Sequence, residues 1–82
     1  MRIRRKTNAM QAVAFNGYNT QEVAALVAPL PVTEVGGELR IAAAEGTMVA
    51  REGYVVAMAR DKQPIVIRPD LFQELYEIIP NE

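Results

Sequence analysis

Apolar positions along this chain recur at two different periods. From Met10 to Phe15 the only polar residue is Gln11, which reads as a β-strand buried on at least one face. After Asn19 the period changes: Val23, Leu26, Val27 and Leu30 fall on one side of a helix predicted to run from Thr20 to about Ala28. Asn19 suits the N-cap, and Glu22 three residues on completes an Asn form of the capping box. Pro29 and Pro31 end the helix because neither can continue its hydrogen-bond ladder.

Period two then dominates. Leu39, Ile41 and Ala43 alternate with Arg40 and Ala42 beyond the turn dipeptide Gly36–Gly37, predicting a strand. Glu45–Gly46 turns the chain and Thr47–Ala50 returns. Tyr54–Arg60 is the strongest strand pattern, rich in β-branched and small apolar residues. Its Ala57 and Ala59 are expected to leave one face shallow enough to admit a helix, a partner or a ligand. Pro64 is tolerable at a strand start, so Ile65–Arg68 completes a hairpin, and Pro69 holds Arg68 extended. Pro69 at N1, with Asp70 and Glu74 behind it, starts a short helical turn, and the run ending at Ile79 closes as a last strand.

Strands in succession, with one helix early and a helical turn late, predict an α+β fold. The expected architecture is a small, mostly antiparallel sheet of about five to six short strands, one helix packed on it and a short C-terminal helical turn. At 82 residues residues 1–82 form a single domain, burying only about 60–65% of the unfolded chain's surface. Half the residues are hydrophobic and the net charge is −1, a globular composition rather than a disordered one.

Charge is unevenly placed. Four of the nine cations, Arg2, Arg4, Arg5 and Lys6, lie in the first six residues, leaving five cations against ten acids over the rest. Residues 1–8 therefore read either as a basic arm contacting nucleic acid or as an edge strand with Ile3 inward and arginines in water. The apolar stretch after this segment is broken by Gln11 and Asn16, too short for a signal-peptide core or a membrane span. No membrane partner is expected. Without cysteine there is no disulfide framework and no thiolate metal site, and a cytoplasmic location fits.

The chain has no histidine, cysteine, serine or tryptophan, which removes Ser, Cys and His nucleophiles and the imidazole base. An enzyme is not expected, although two carboxylates in unlike environments would suffice for acid–base work. No cofactor or metal is predicted: Glu45 and Glu52 fall short of the oxygen donors calcium needs, and Gly36–Gly37 lacks the Lys and Ser/Thr of a phosphate loop.

The junction Arg68-Pro69-Asp70 admits two readings. Arg68 can present its guanidinium to a carboxylate or phosphate, or Asp70 can complement the helix start while Leu71, Phe72 and Leu75 close the core. Tyr18, Tyr54 and Tyr76 each offer contact area with a polar tip, or a core ring with its hydroxyl at the rim. The predicted partner-binding residues are Tyr54, Arg68, Asp70, Phe72 and Tyr76; the possible nucleic-acid contacts are Arg2, Arg4, Arg5 and Lys6.

Three stretches, Met10–Val27, Leu39–Ala57 and Pro64–Ile79, resemble a family of short phage and prophage proteins. Its marks are a Pro-Gly-Asp-Tyr-Ile-like turn and a Lys/Arg-Pro-Asp-x-Phe tail ending in tyrosine. Arg68, Pro69, Asp70, Phe72 and Tyr76 stand at the tail positions and Gly53, Tyr54 and Val55 in the turn, where Arg51-Glu52-Gly53 replaces Pro-Gly-Asp. The resemblance implies an accessory protein, active in a bacterial host cell during infection, that binds a host or phage protein in host takeover or as an anti-defence inhibitor. Alternatives are nucleic-acid binding through the basic segment and a structural or regulatory homo-oligomer, such as a homodimer, since edge strands invite pairing.

Overall fold

A computed structural model describes residues 1–5 and 8–79. The strands are β1 (Arg2–Arg5), β2 (Asn8–Ala14), β3 (Val32–Val35), β4 (Glu38–Ala43), β5 (Gly46–Ala50), β6 (Val55–Met58), β7 (Pro64–Ile67) and β8 (Glu77–Ile79). Helix α1 (Thr20–Val27) follows β2, and α2 (Pro69–Leu75) links β7 to β8. The α+β class, the antiparallel pairing and the short C-terminal helix agree with the sequence reading. Among the described residues the strands number eight and divide into two sheets: a five-stranded one in the order β7-β6-β2-β1-β8, and a three-stranded one in the order β3-β4-β5.

The larger sheet is apolar on both faces, which explains why β6 reads as an unbroken apolar run rather than an alternating one. Val56 on one face joins Phe15, Val23 and Val27 near α1, and Leu39, Ile41 and Ala50 of the smaller sheet. Val55 and Ala57, on the other face by strand alternation, join Ile3, Met10, Ala12 and Ile67, and the side chains of Phe72 and Tyr76 pack against that cluster. The order of layers is thus α1 with the smaller sheet, the five-stranded sheet, then α2.

Local chemistry accounts for the elements. Gly36 and Gly37 have φ of 60° and 84°, the pair of positive values a two-residue type I′ hairpin requires, and they join β3 to β4 with Val35 opposite Glu38. Helix α1 buries Val23 and Val27 completely and tucks Leu26 against the same cluster, as its spacing predicts, and Leu30 joins them from the turn beyond the helix end. Its start differs from the expected capping box: Asn19 makes no side-chain cap hydrogen bond. Instead Asn19 Oδ1 accepts from the Asn16 N–H at 2.9 Å and Asn19 Nδ2 donates to the Ala14 carbonyl at 2.9 Å. The side chain is spent on tying the β2–α1 loop together, and the Glu22 and Val23 amides bond the Asn19 carbonyl instead.

Candidate protein-binding surface

The five residues expected to form one partner-binding surface lie on different sides of the molecule. Tyr54 precedes β6 and packs, half-buried, against the cluster around Phe15 and Val56. Phe72 and Tyr76 pack against the cluster on the opposite face of the sheet, their rings stacked with centroids 5.9 Å apart. A partner on the α2 side therefore meets Phe72 and Tyr76 without Tyr54. The cause is the pleat: Tyr54 and Val55 are adjacent, so their side chains leave on opposite faces.

Arg68 and Asp70 are exposed, each side chain 62% accessible, and they are paired with one another at 3.2 Å. Arg68 is the extended N-cap of α2, with Pro69 at its first helical position, so the tripeptide is the corner at which the chain leaves β7 for the helix. The structural reading needs a correction: the junction shapes the backbone, but of the three apolar residues expected to close the core only Phe72 packs against it, while Leu71 and Leu75 are left outside. An exposed ion pair such as Arg68–Asp70 contributes no more than about 1 kcal/mol, so either member is free to exchange partners at little cost.

The shallow face expected at Ala57 and Ala59 is not open along its length. Ala57 is fully buried, and Phe72, Tyr76, Ile65 and Ala59 pack against its cluster. Two small residues leave depth, and the aromatic side of α2 fills it. Ala57→Leu should accordingly destabilise the fold by about 1–3 kcal/mol through overpacking, a fall in Tm of roughly 5–20 °C for a domain this size. An unchanged melt by circular dichroism would mean that the face is free.

Neither form expected for the basic segment describes it fully. Ile3 is buried and Arg2, Arg4 and Arg5 are exposed, as the strand reading has it. Strand β1, however, is interior rather than an arm or an edge: it pairs with β2 on one side and β8 on the other, and the Ala12 N–H donates to the Met1 carbonyl at 2.7 Å. Arg4 forms an ion pair with Glu77, and the Arg5 guanidinium lies over the Tyr76 ring, 6.0 Å from its centroid. Lys6 lies outside the described residues. Glu45 and Glu52 flank opposite ends of β5 and are not brought together, and among the described residues no group of three or more acids, histidines or cysteines is placed to hold a metal ion.

Exposed apolar side chains mark a surface that the sequence reading did not single out. Leu71 and Leu75 on α2 are 41% and 43% accessible, and Ile78 on β8 is 59% accessible. Four residues apart, Leu71 and Leu75 are neighbours along one side of the helix. Ile78 is the register partner of Ile3 and so points to the face of the sheet that α2 covers. The available signal was the helix itself: Leu71 and Phe72 are about 100° apart around the axis, so one apolar stripe can face the sheet only by leaving the other outside. Tyr18, which the sequence reading did offer as contact area, is 92% accessible on a loop closed by hydrogen bonds from the Tyr18 and Asn19 amides to Asn16 Oδ1 at 2.8 and 3.0 Å.

Comparison of the chain with protein-family models, with curated proteins and with solved structures finds no match.

Proposed function

We propose that this chain is a small non-catalytic binding module, a phage-encoded accessory protein that engages a host or phage protein through the outer side of α2 and β8. The observation that carries the reading is the exposure of Leu71 and Leu75 along one side of α2 and of Ile78 on the same side of the sheet, with the exposed Arg68 and Asp70 at the start of that helix; exposed apolar side chains with charged neighbours mark protein interaction sites. The resemblance of the Arg68–Tyr76 tail to short phage and prophage proteins supplies the context of host takeover or anti-defence inhibition.

Among the described residues no helix is long and apolar enough to cross a membrane, and the proposed site of action is the host cytoplasm. Binding of nucleic acid through the basic segment has less support, because β1 is held on both sides and two of its arginines already have partners. Self-association keeps one specific observation in its favour: β8 is an edge strand of the five-stranded sheet.

The test compares what the immobilised protein and its Leu71→Asp/Leu75→Asp variant retain from a nuclease-treated bacterial lysate. Both positions are exposed, so Tm should change by less than about 1 kcal/mol's worth of stability, while a protein held by the parent chain should be lost from the variant. Retention unaffected by the double substitution would overturn this surface. Retention of nothing, with a dimeric mass by light scattering, would replace a host partner with a second copy.

A further inference from the structure

Part of the face left shallow by small residues stays open at the end of the sheet near the β6–β7 turn. There a cleft of about 390 Å³ is lined by Ala9, Met10, Ala59, Ile65 and Tyr76; Met10, Ala59 and Ile65 belong to the α2-side cluster, whereas the Ala9 methyl leaves on the other face by strand alternation and only its backbone borders the cleft. Arg5 and Arg60 line it as well. Arg5 is anchored by its position over the Tyr76 ring, which is itself stacked on Phe72, and Arg60 is exposed and forms no ion pair with a described residue. The acid in the lining, Asp61, already accepts the Gln63 N–H at 3.1 Å. Two guanidinium groups thus border an apolar floor in a chain whose net charge is −1.

We propose that this cleft takes the C-terminal residue of a partner polypeptide, with a bulky apolar side chain over Met10 and Ala59 and its carboxylate between Arg5 and Arg60. Charge complementarity selects an anion, since guanidinium groups match carboxylates in geometry as well as sign. The apolar floor selects a hydrophobic body beside that anion. Size favours a chain end over an internal segment: the volume lies near the lower limit of ligand pockets. A terminal residue carries its carboxylate and side chain on one α-carbon and leaves by a single chain. The proposal rests on the protein-binding reading and names the chemistry of what is bound.

The probes are N-acetyl-L-phenylalanine, which carries the carboxylate, and N-acetyl-L-phenylalaninamide, which has the same shape without the charge. Amide shifts of the ¹⁵N-labelled protein are followed as each is added. The anion should move the amides of Ala9, Met10, Ala59, Arg60 and Ile65 saturably and bind about five- to tenfold more tightly than the amide, the gain of one partly solvated charge-assisted hydrogen bond. Arg60→Gln should remove most of that preference. Arg40→Gln, which deletes an equal charge on the exposed side of β4, should leave it in place.

Equal binding of the two probes, equal loss in both variants, or no shift in these amides at the highest soluble concentration would each overturn the proposal. Such a failure would leave the Leu71 and Leu75 comparison standing, because that comparison reads a different surface.

Discussion

Ile3→Asp is expected to abolish the folded state. Ile3 is completely buried on β1, opposite Met10 on β2 and Ile78 on β8, so its side chain lies at the centre of three adjoining strands. Losing the aliphatic group costs about 2–4 kcal/mol, and burying an unpartnered carboxylate adds several more unless it protonates. A domain of this length has only about 4–12 kcal/mol in total. Circular dichroism at 25 °C should therefore show no cooperative melt, whereas Arg2→Gln, exposed on the same strand, should melt within a few degrees of the parent. A native melt from Ile3→Asp would make β1 a detachable arm after all.

That expectation changes how the basic segment can be tested. Removing it to look for loss of nucleic-acid binding would also strip β8 of its strand neighbour and expose the Met10–Ala12 face. Loss of binding in such a truncation would report unfolding. Charge-neutralising changes at Arg2, or at Arg4 together with Glu77, keep the ladder and alter only surface electrostatics, with about 0–1 kcal/mol at stake.

Local patterns made much of this fold legible. The alternation of Leu39, Arg40 and Ile41 places two side chains inside and one outside, as found, and the four-residue spacing of Val23 and Val27 identifies the buried side of α1. What local pattern does not carry is partner choice. Leu39 and Ile41 announce a buried face but not that the face belongs to a separate three-stranded sheet laid over the larger one. Strand β3 was hidden because Pro31 precedes it and its middle residues, Thr33 and Glu34, are both exposed, so it presents no apolar alternation.

The same limit governed the candidate site. Arg68, Pro69 and Asp70 were readable as a helix start, and they are one. Grouping Tyr54 with Phe72 and Tyr76 failed because it required knowing that α1 and α2 cover opposite faces of one sheet. Once that is known, alternation along β6 separates them at once. The exposed Leu71 and Leu75 follow from the helix period, but only after Phe72 and Tyr76 are assigned inward.

Phe15→Ala should be the most damaging substitution that leaves charge and backbone untouched. Phe15 is 1% accessible and the bulkiest of the fully buried residues, and it belongs to the cluster where α1, the smaller sheet and β6 meet. Its backbone is pinned as well: the Phe15 N–H donates to the Tyr54 carbonyl at 2.9 Å and its own carbonyl accepts from the Gly53 N–H at 2.7 Å. With the backbone held, the surroundings cannot collapse into the vacated space, so the full cavity cost applies. The expected loss is about 3–5 kcal/mol, a drop in Tm of roughly 15–30 °C, with Phe15→Leu losing less than half as much.

The shape of that melt bears on function. Val56 belongs to the Phe15 cluster while its neighbours Val55 and Ala57 belong to the cluster against α2, so each face of β6 is backed by the other. Loss of the Phe15 side should carry the α2 side with it in one transition, seen as coincident melts of the far-ultraviolet signal and of the Tyr76 environment. A two-step melt, with α2 surviving the first step, would show the two faces to be separate cooperative units. In the single-transition case no core variant can distinguish lost binding from lost folding, and only exposed positions such as Leu71, Leu75 and Arg60 can test what this protein holds.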